Sequence, residues 1–177
     1  MRKLRWIAGL LMALLLPACG SSSTPTTPAT PAPTPTPCTQ TNVLQVDGSV
    51  PAASLARAPA FSVSTAGRLD ITVDWTFAAS PIGVYLVTAG ACSIDQFNAQ
   101  TCSFLARSEV TTKPRKFSVA NTAAGNYELL VANFGTQDES ISGQVVLSSS
   151  TCASFASAAK EASAPGFRGR LSESTRW

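Results

Sequence analysis

The chain contains no histidine among its 177 residues, which removes Ser-His and Cys-His catalysis, His-ligated zinc or haem and histidine-based pH switching. Charge is also scarce. Asp, Glu, Lys and Arg make up 13% of the sequence, about half the usual share of a soluble domain. Apolar residues still reach 45%, so the chain is not a disordered polyelectrolyte. There is no Cys-x-x-Cys spacing, which argues against a zinc site, and there is no glycine-rich phosphate loop. No cofactor is expected.

The N-terminus carries an address. Arg2, Lys3 and Arg5 precede an apolar run from Trp6 to Leu16, too short to span a bilayer and lacking the polar positions of an amphipathic core helix. Residues 1–18 therefore read as a signal peptide. Its end, Leu16-Pro17-Ala18-Cys19, resembles the lipobox of bacterial lipoproteins. That resemblance implies cleavage before Cys19, acylation of its thiol and anchoring in the membrane. Two or more acyl chains hold a protein stably where one does not. Gly20 follows the cysteine in place of the Asp that marks inner-membrane retention in Gram-negative lipoproteins. The resemblance therefore implies a place in the bacterial cell envelope, at the outer membrane if the cell is Gram-negative. Loss of the signal leaves ten basic and ten acidic residues, a mature net charge near zero. The basic balance thus gives no support for a nucleic-acid partner.

Residues 19–37 form a Ser/Thr/Pro-rich stalk. The stretch 20–37 holds six prolines and no charge. A polyproline II spacer of this length reaches roughly 50 Å. From Cys38 to Cys152 the dominant pattern has period two. In GRLDITVDWTF (67–77), Leu69, Ile71, Val73, Trp75 and Phe77 share one face, and Arg68, Asp70, Thr72, Asp74 and Thr76 share the other, expected to be solvated. GNYELLVAN (125–133) repeats the scheme through Tyr127, Leu129 and Val131. Weaker strands are expected at 42–46, 60–64, 82–88, 103–108, 116–120 and 140–148, with turn signals such as Asp47-Gly48-Ser49 and Ser80-Pro81 between them. About eight short strands without an intervening helix predict an all-β domain, an antiparallel β-sandwich or jelly roll. Residues 153–177 read as a flexible tail with a short helix at 153–162.

Two segments, STAGRLDITVDW and TAAGNYELLVANFG, with IGVYLVT between them, look like the bacterial pre-peptidase C-terminal domain, a jelly-roll module of secreted proteins. The shared motifs are structural, so the resemblance implies a fold over roughly residues 40–150 and no particular ligand.

With Cys19 acylated, Cys38, Cys92, Cys102 and Cys152 remain, an even set that reads as two disulfides with three possible pairings. Cys92 with Cys102 and Cys38 with Cys152 is the economical choice. Catalytic signals are weak. Ser157-Ala158-Ala159-Lys160 matches Ser-x-x-Lys but lacks its companion motifs. Asp70 and Asp74 lie ~13 Å apart along a strand, too far for paired-carboxylate chemistry. Loop oxygens at Asp47, Asp95, Asp138 and Glu139 are of the type that binds calcium, but no spacing groups them. Lys113-Pro114-Arg115-Lys116 reads as a charged edge strand.

The sequence therefore predicts a lipid-anchored, non-enzymatic β-sandwich that binds a protein or a glycan. The alternatives are a purely structural envelope component and, less well supported, a hydrolase. The candidate binding loop is the insert clamped between Cys92 and Cys102, with Asp95, Gln96, Phe97 and Asn98. Phe97 is either an exposed anchor or a plug folded over the open end of the sandwich.

Overall fold

The structure is a computed structural model and describes residues 37–149, 151–152 and 170–174. The signal segment, Cys19, most of the stalk, the helix expected at 153–162 and the Ser157–Lys160 motif lie outside the described residues.

Ten strands and one short helix follow in order: β1 (Gln40–Val50), β2 (Ser54–Arg57), β3 (Phe61–Val63), β4 (Gly67–Trp75), β5 (Ile82–Thr88), α1 (Ile94–Asn98), β6 (Ala106–Ser108), β7 (Arg115–Thr122), β8 (Gly125–Asn133), β9 (Glu139–Ser148) and β10 (Ser172–Ser174). One sheet has the order β1-β9-β4-β7, and the other β10-β2-β8-β5-β6 with β3 also on β8. The antiparallel pairs are nested. β1 pairs with β9, β2 with β8, β4 with β7 and β5 with β6, which is the winding of a jelly roll.

Two strands were not expected. β2 is only four residues long, flanked by Pro51 and Pro59, and its Leu55 and Ala56 are both fully buried, so alternation cannot reveal it. β2 and β3 meet successive parts of one side of β8 and are one strand interrupted around Pro59, which has no N–H to donate. β10 comes from the stretch that reads as tail and pairs parallel with β2.

The core between the sheets follows the period-two pattern. Leu69, Ile71, Val73 and Trp75 of β4 meet Leu129 and Val131 of β8 and Val84 and Leu86 of β5. Phe77 departs from the expected face. It lies beyond the end of β4 and is 48% exposed. Arg115 departs in the other direction. It is fully buried, its guanidinium lies 5.3 Å from the centre of the Trp75 ring, and it donates to the carbonyls of Ile82 and Ser108. Edge position does not expose it, because β7 turns this side chain into the gap between the sheets. Lys113 reaches the Asp74 carboxylate at 3.2 Å, and Lys116 is exposed.

A second apolar layer sits on the outer face of the larger sheet. Leu55, Tyr85, Val87, Leu130 and Ala132 point away from the first core and are covered by Cys92, Phe97, Phe104 and Leu171. This explains why IGVYLVT is buried on both faces.

Candidate functional site

The clamped loop begins with a strand end at Thr88 and a left-handed Gly90, then enters α1. Ser93 caps the helix. Its Oγ accepts from the Gln96 N–H at 3.2 Å, while Gln96 Oε1 accepts from the Ser93 N–H at 2.7 Å. This reciprocal box satisfies two backbone donors that an open helix start would leave unpaired. The Cys92–Cys102 disulfide closes the loop, and Cys38–Cys152 ties the residues before β1 to those after β9.

The four candidate residues have different surroundings. Gln96 serves the cap. Phe97 is half-buried, edge-on to Tyr85 at 5.0 Å and 5.9 Å from Phe104. It folds inward, but onto the outer face of the larger sheet rather than over an end of the sandwich, because Tyr85 offers an apolar platform there. Asn98 reads a backbone: its Nδ2 donates to the Leu171 carbonyl at 3.0 Å and its Oδ1 accepts from the Leu171 N–H at 2.9 Å. Asp95 and Gln96 are exposed, and Phe97 and Asn98 are half-buried.

Beside Asn98, Arg57 joins three elements. Its Nε donates to Glu173 at 2.8 Å, its Nη1 to Glu128 at 3.1 Å, and its Nη2 to the Cys92 carbonyl. Below them, Tyr85 donates its hydroxyl to Glu109 at 2.7 Å. Burial first, and the Glu109 charge second, push the phenol's pKa upward.

Across the molecule, Asp70 is 5% exposed, contrary to the solvated face expected for it. Arg68 donates to both its oxygens at 2.9 Å, and the hydroxyls of Ser118 and Ser148 donate at 2.5 and 2.6 Å. Burial raises its pKa, but these four hydrogen bonds and the Arg68 charge outweigh it and hold the carboxyl below its ordinary range. Arg68 also donates to the Cys152 carbonyl at 2.8 Å, so the disulfide-tied terminus roofs the pair. Asp70 is a structural carboxylate.

The other side-chain oxygens do not converge. Asp138 accepts from the Ala52 N–H at 2.9 Å, and the buried Glu139 accepts from the Phe77 N–H at 3.0 Å and from the Ser80 hydroxyl. Asp47 and Asp74 flank Ser142 on the outer face of the smaller sheet, around an open depression of about 330 Å³ also lined by Thr76 and Ser140. Among the described residues, no three His, Cys, Asp or Glu side chains stand together as metal ligands.

No protein-family model matches the chain, and no curated protein matches it in sequence.

Sequence reasoning missed Arg57, Glu173 and Leu171. The Ser93-Ile94-Asp95-Gln96 capping box carried a readable helix-start signal. Leu171, an apolar residue in a polar C-terminal stretch, carried a fainter one. Nothing links Arg57 to Glu173, which are 116 residues apart.

Proposed function

We infer that this chain is a bacterial envelope lipoprotein, anchored by lipid at Cys19, that presents a non-enzymatic jelly-roll interaction module on a Ser/Thr/Pro stalk. The observation that carries this reading is the pairing of the cysteines. Cys38 with Cys152 and Cys92 with Cys102 accounts for four of the five, leaving Cys19, the residue the lipobox would acylate. Two disulfides in a domain this small favour an oxidising, exported setting. The carboxylates support a binding role over a hydrolytic one: Asp70, Glu128 and Glu139 hold the fold together, and Asp74 pairs with Lys113. The resemblance to the pre-peptidase C-terminal jelly roll agrees with a module that presents surfaces rather than performs chemistry. Its ligand is a protein or a glycan.

The experiment is acyl labelling in a bacterial host. Wild-type chain takes up labelled fatty acid and fractionates with membranes. Cys19→Ser accumulates as unprocessed precursor without label. Undiminished labelling of that variant overturns the anchored reading.

A further inference from the structure

The C-terminal segment 170–174 is bound as a ligand would be. Ser172, Glu173 and Ser174 lie parallel to Ser54, Leu55 and Ala56, and the Ser172 N–H donates to the Ala53 carbonyl at 3.1 Å. Leu171 is 4% exposed, inserted among Leu55, Tyr85 and Leu130 of the second apolar layer. Asn98 grips both the N–H and the carbonyl of Leu171, and Arg57 takes the Glu173 carboxylate. A sheet edge, an apolar pocket, a side-chain amide reading the backbone and a guanidinium reading an acid are the parts of an extended-peptide site. They select Leu-x-Glu in a parallel strand.

We propose that this groove, between the β2 edge and α1, also accepts residues 170–174 of a second copy of the chain, joining copies by exchange of β10. The segment that fits the groove is carried by every copy. Seventeen residues, 153–169, separate Cys152 from Arg170. Extended, they span up to ~60 Å, against a radius of gyration of ~13 Å for a domain of this size, so the segment reaches a neighbour's groove as well as its own. The seat is also small enough to vacate: three ladder residues, one buried leucine, and a Glu173 side chain that is 44% exposed. Reciprocal exchange replaces each contact with the identical one and closes as a twofold dimer. The inference rests on the interaction-module reading and names the module's partner, and it does not require the lipid.

The test mixes two full-length variants. Leu171→Asp spoils the segment and leaves the groove intact, whereas Asn98→Arg blocks the groove and leaves the segment intact. In sedimentation velocity each alone stays monomeric, and the equimolar mixture forms a one-to-one complex, with association roughly tenfold or more above that of either variant alone. A mixture that remains monomeric overturns the exchange, while acyl labelling at Cys19 is unaffected by that outcome. Ser172→Pro, which removes the N–H given to Ala53 without adding charge, replaces Leu171→Asp if the latter does not melt cooperatively. Loss of cooperative melting in both variants also overturns the proposal, since the segment would then be an obligatory part of the fold.

Discussion

Phe97 is the residue whose removal best separates a recognition loop from a packed one. Phe97→Ser deletes a ring that stands edge-on to Tyr85 at 5.0 Å and contacts Phe104 at 5.9 Å. Truncating a fully buried Phe costs ~3–5 kcal/mol. Phe97 is half-buried, and solvent can refill part of the space, so the expected loss is ~2–3 kcal/mol, of which the edge-to-face geometry contributes ~0.5–1.5. At ~3–6 °C per kcal/mol for a domain of this size, Tm falls by ~6–18 °C. Phe97→Leu keeps most of the apolar cover and loses about half as much. The assay is thermal melting followed by circular dichroism under oxidising conditions, with urea unfolding to check that the slope is unchanged. A Tm for Phe97→Ser within ~1–2 °C of wild type, less than ~0.5 kcal/mol, refutes the packing argument and returns the ring to solvent as a recognition anchor.

Asp70→Asn destabilises by ~2–3 kcal/mol at pH 7, the scale for hydrogen bonds to a charged group. Because the folded-state pKa is depressed, the unfolded chain binds the proton first as pH falls. The Asp70 contribution is therefore full above about pH 5 and shrinks below about pH 4, so the Tm gap between wild type and Asp70→Asn narrows from pH 7 to pH 3. A gap independent of pH refutes the assignment. The double variant Cys38→Ser with Cys152→Ser opens a bridge between residues 114 apart. The chain-entropy model gives a loss of ~4–5 kcal/mol for a loop of this length, read from urea midpoints. A loss under ~1 kcal/mol shows that β1–β9 pairing holds the termini without the bridge.

Local pattern in this sequence determines the strands that have one wet face or one cleanly alternating core. Leu69, Ile71, Val73 and Trp75 declare β4 because period two is a property of the strand itself. The roll class follows from the number and brevity of such strands, and the pairing of Cys92 with Cys102 from the short loop between them. What lies on the outer face of the larger sheet is different in kind. β5 and β8 are apolar on both faces, and sequence cannot say whether their second face meets a partner or the chain's own loop. Tertiary structure decides it, by laying Phe97 and Leu171 over Tyr85 and Leu130. Charge is settled the same way. Asp70 and Arg115 look like solvated residues of a polar face and a basic run. Yet the disulfide-tied terminus covers the first, and the Trp75 ring with two carbonyls takes in the second. Arg68 stands only two residues from Asp70, but Ser118 and Ser148 come from distant positions. No local window of sequence therefore contains the full set of partners that a buried charge requires. The groove at β2 is the extreme case. Asn98 and Leu171 are 73 residues apart, and Arg57 and Glu173 are 116 apart. Such pairs exist only once the roll has closed, because the elements that carry them are neighbours in the fold and strangers along the chain.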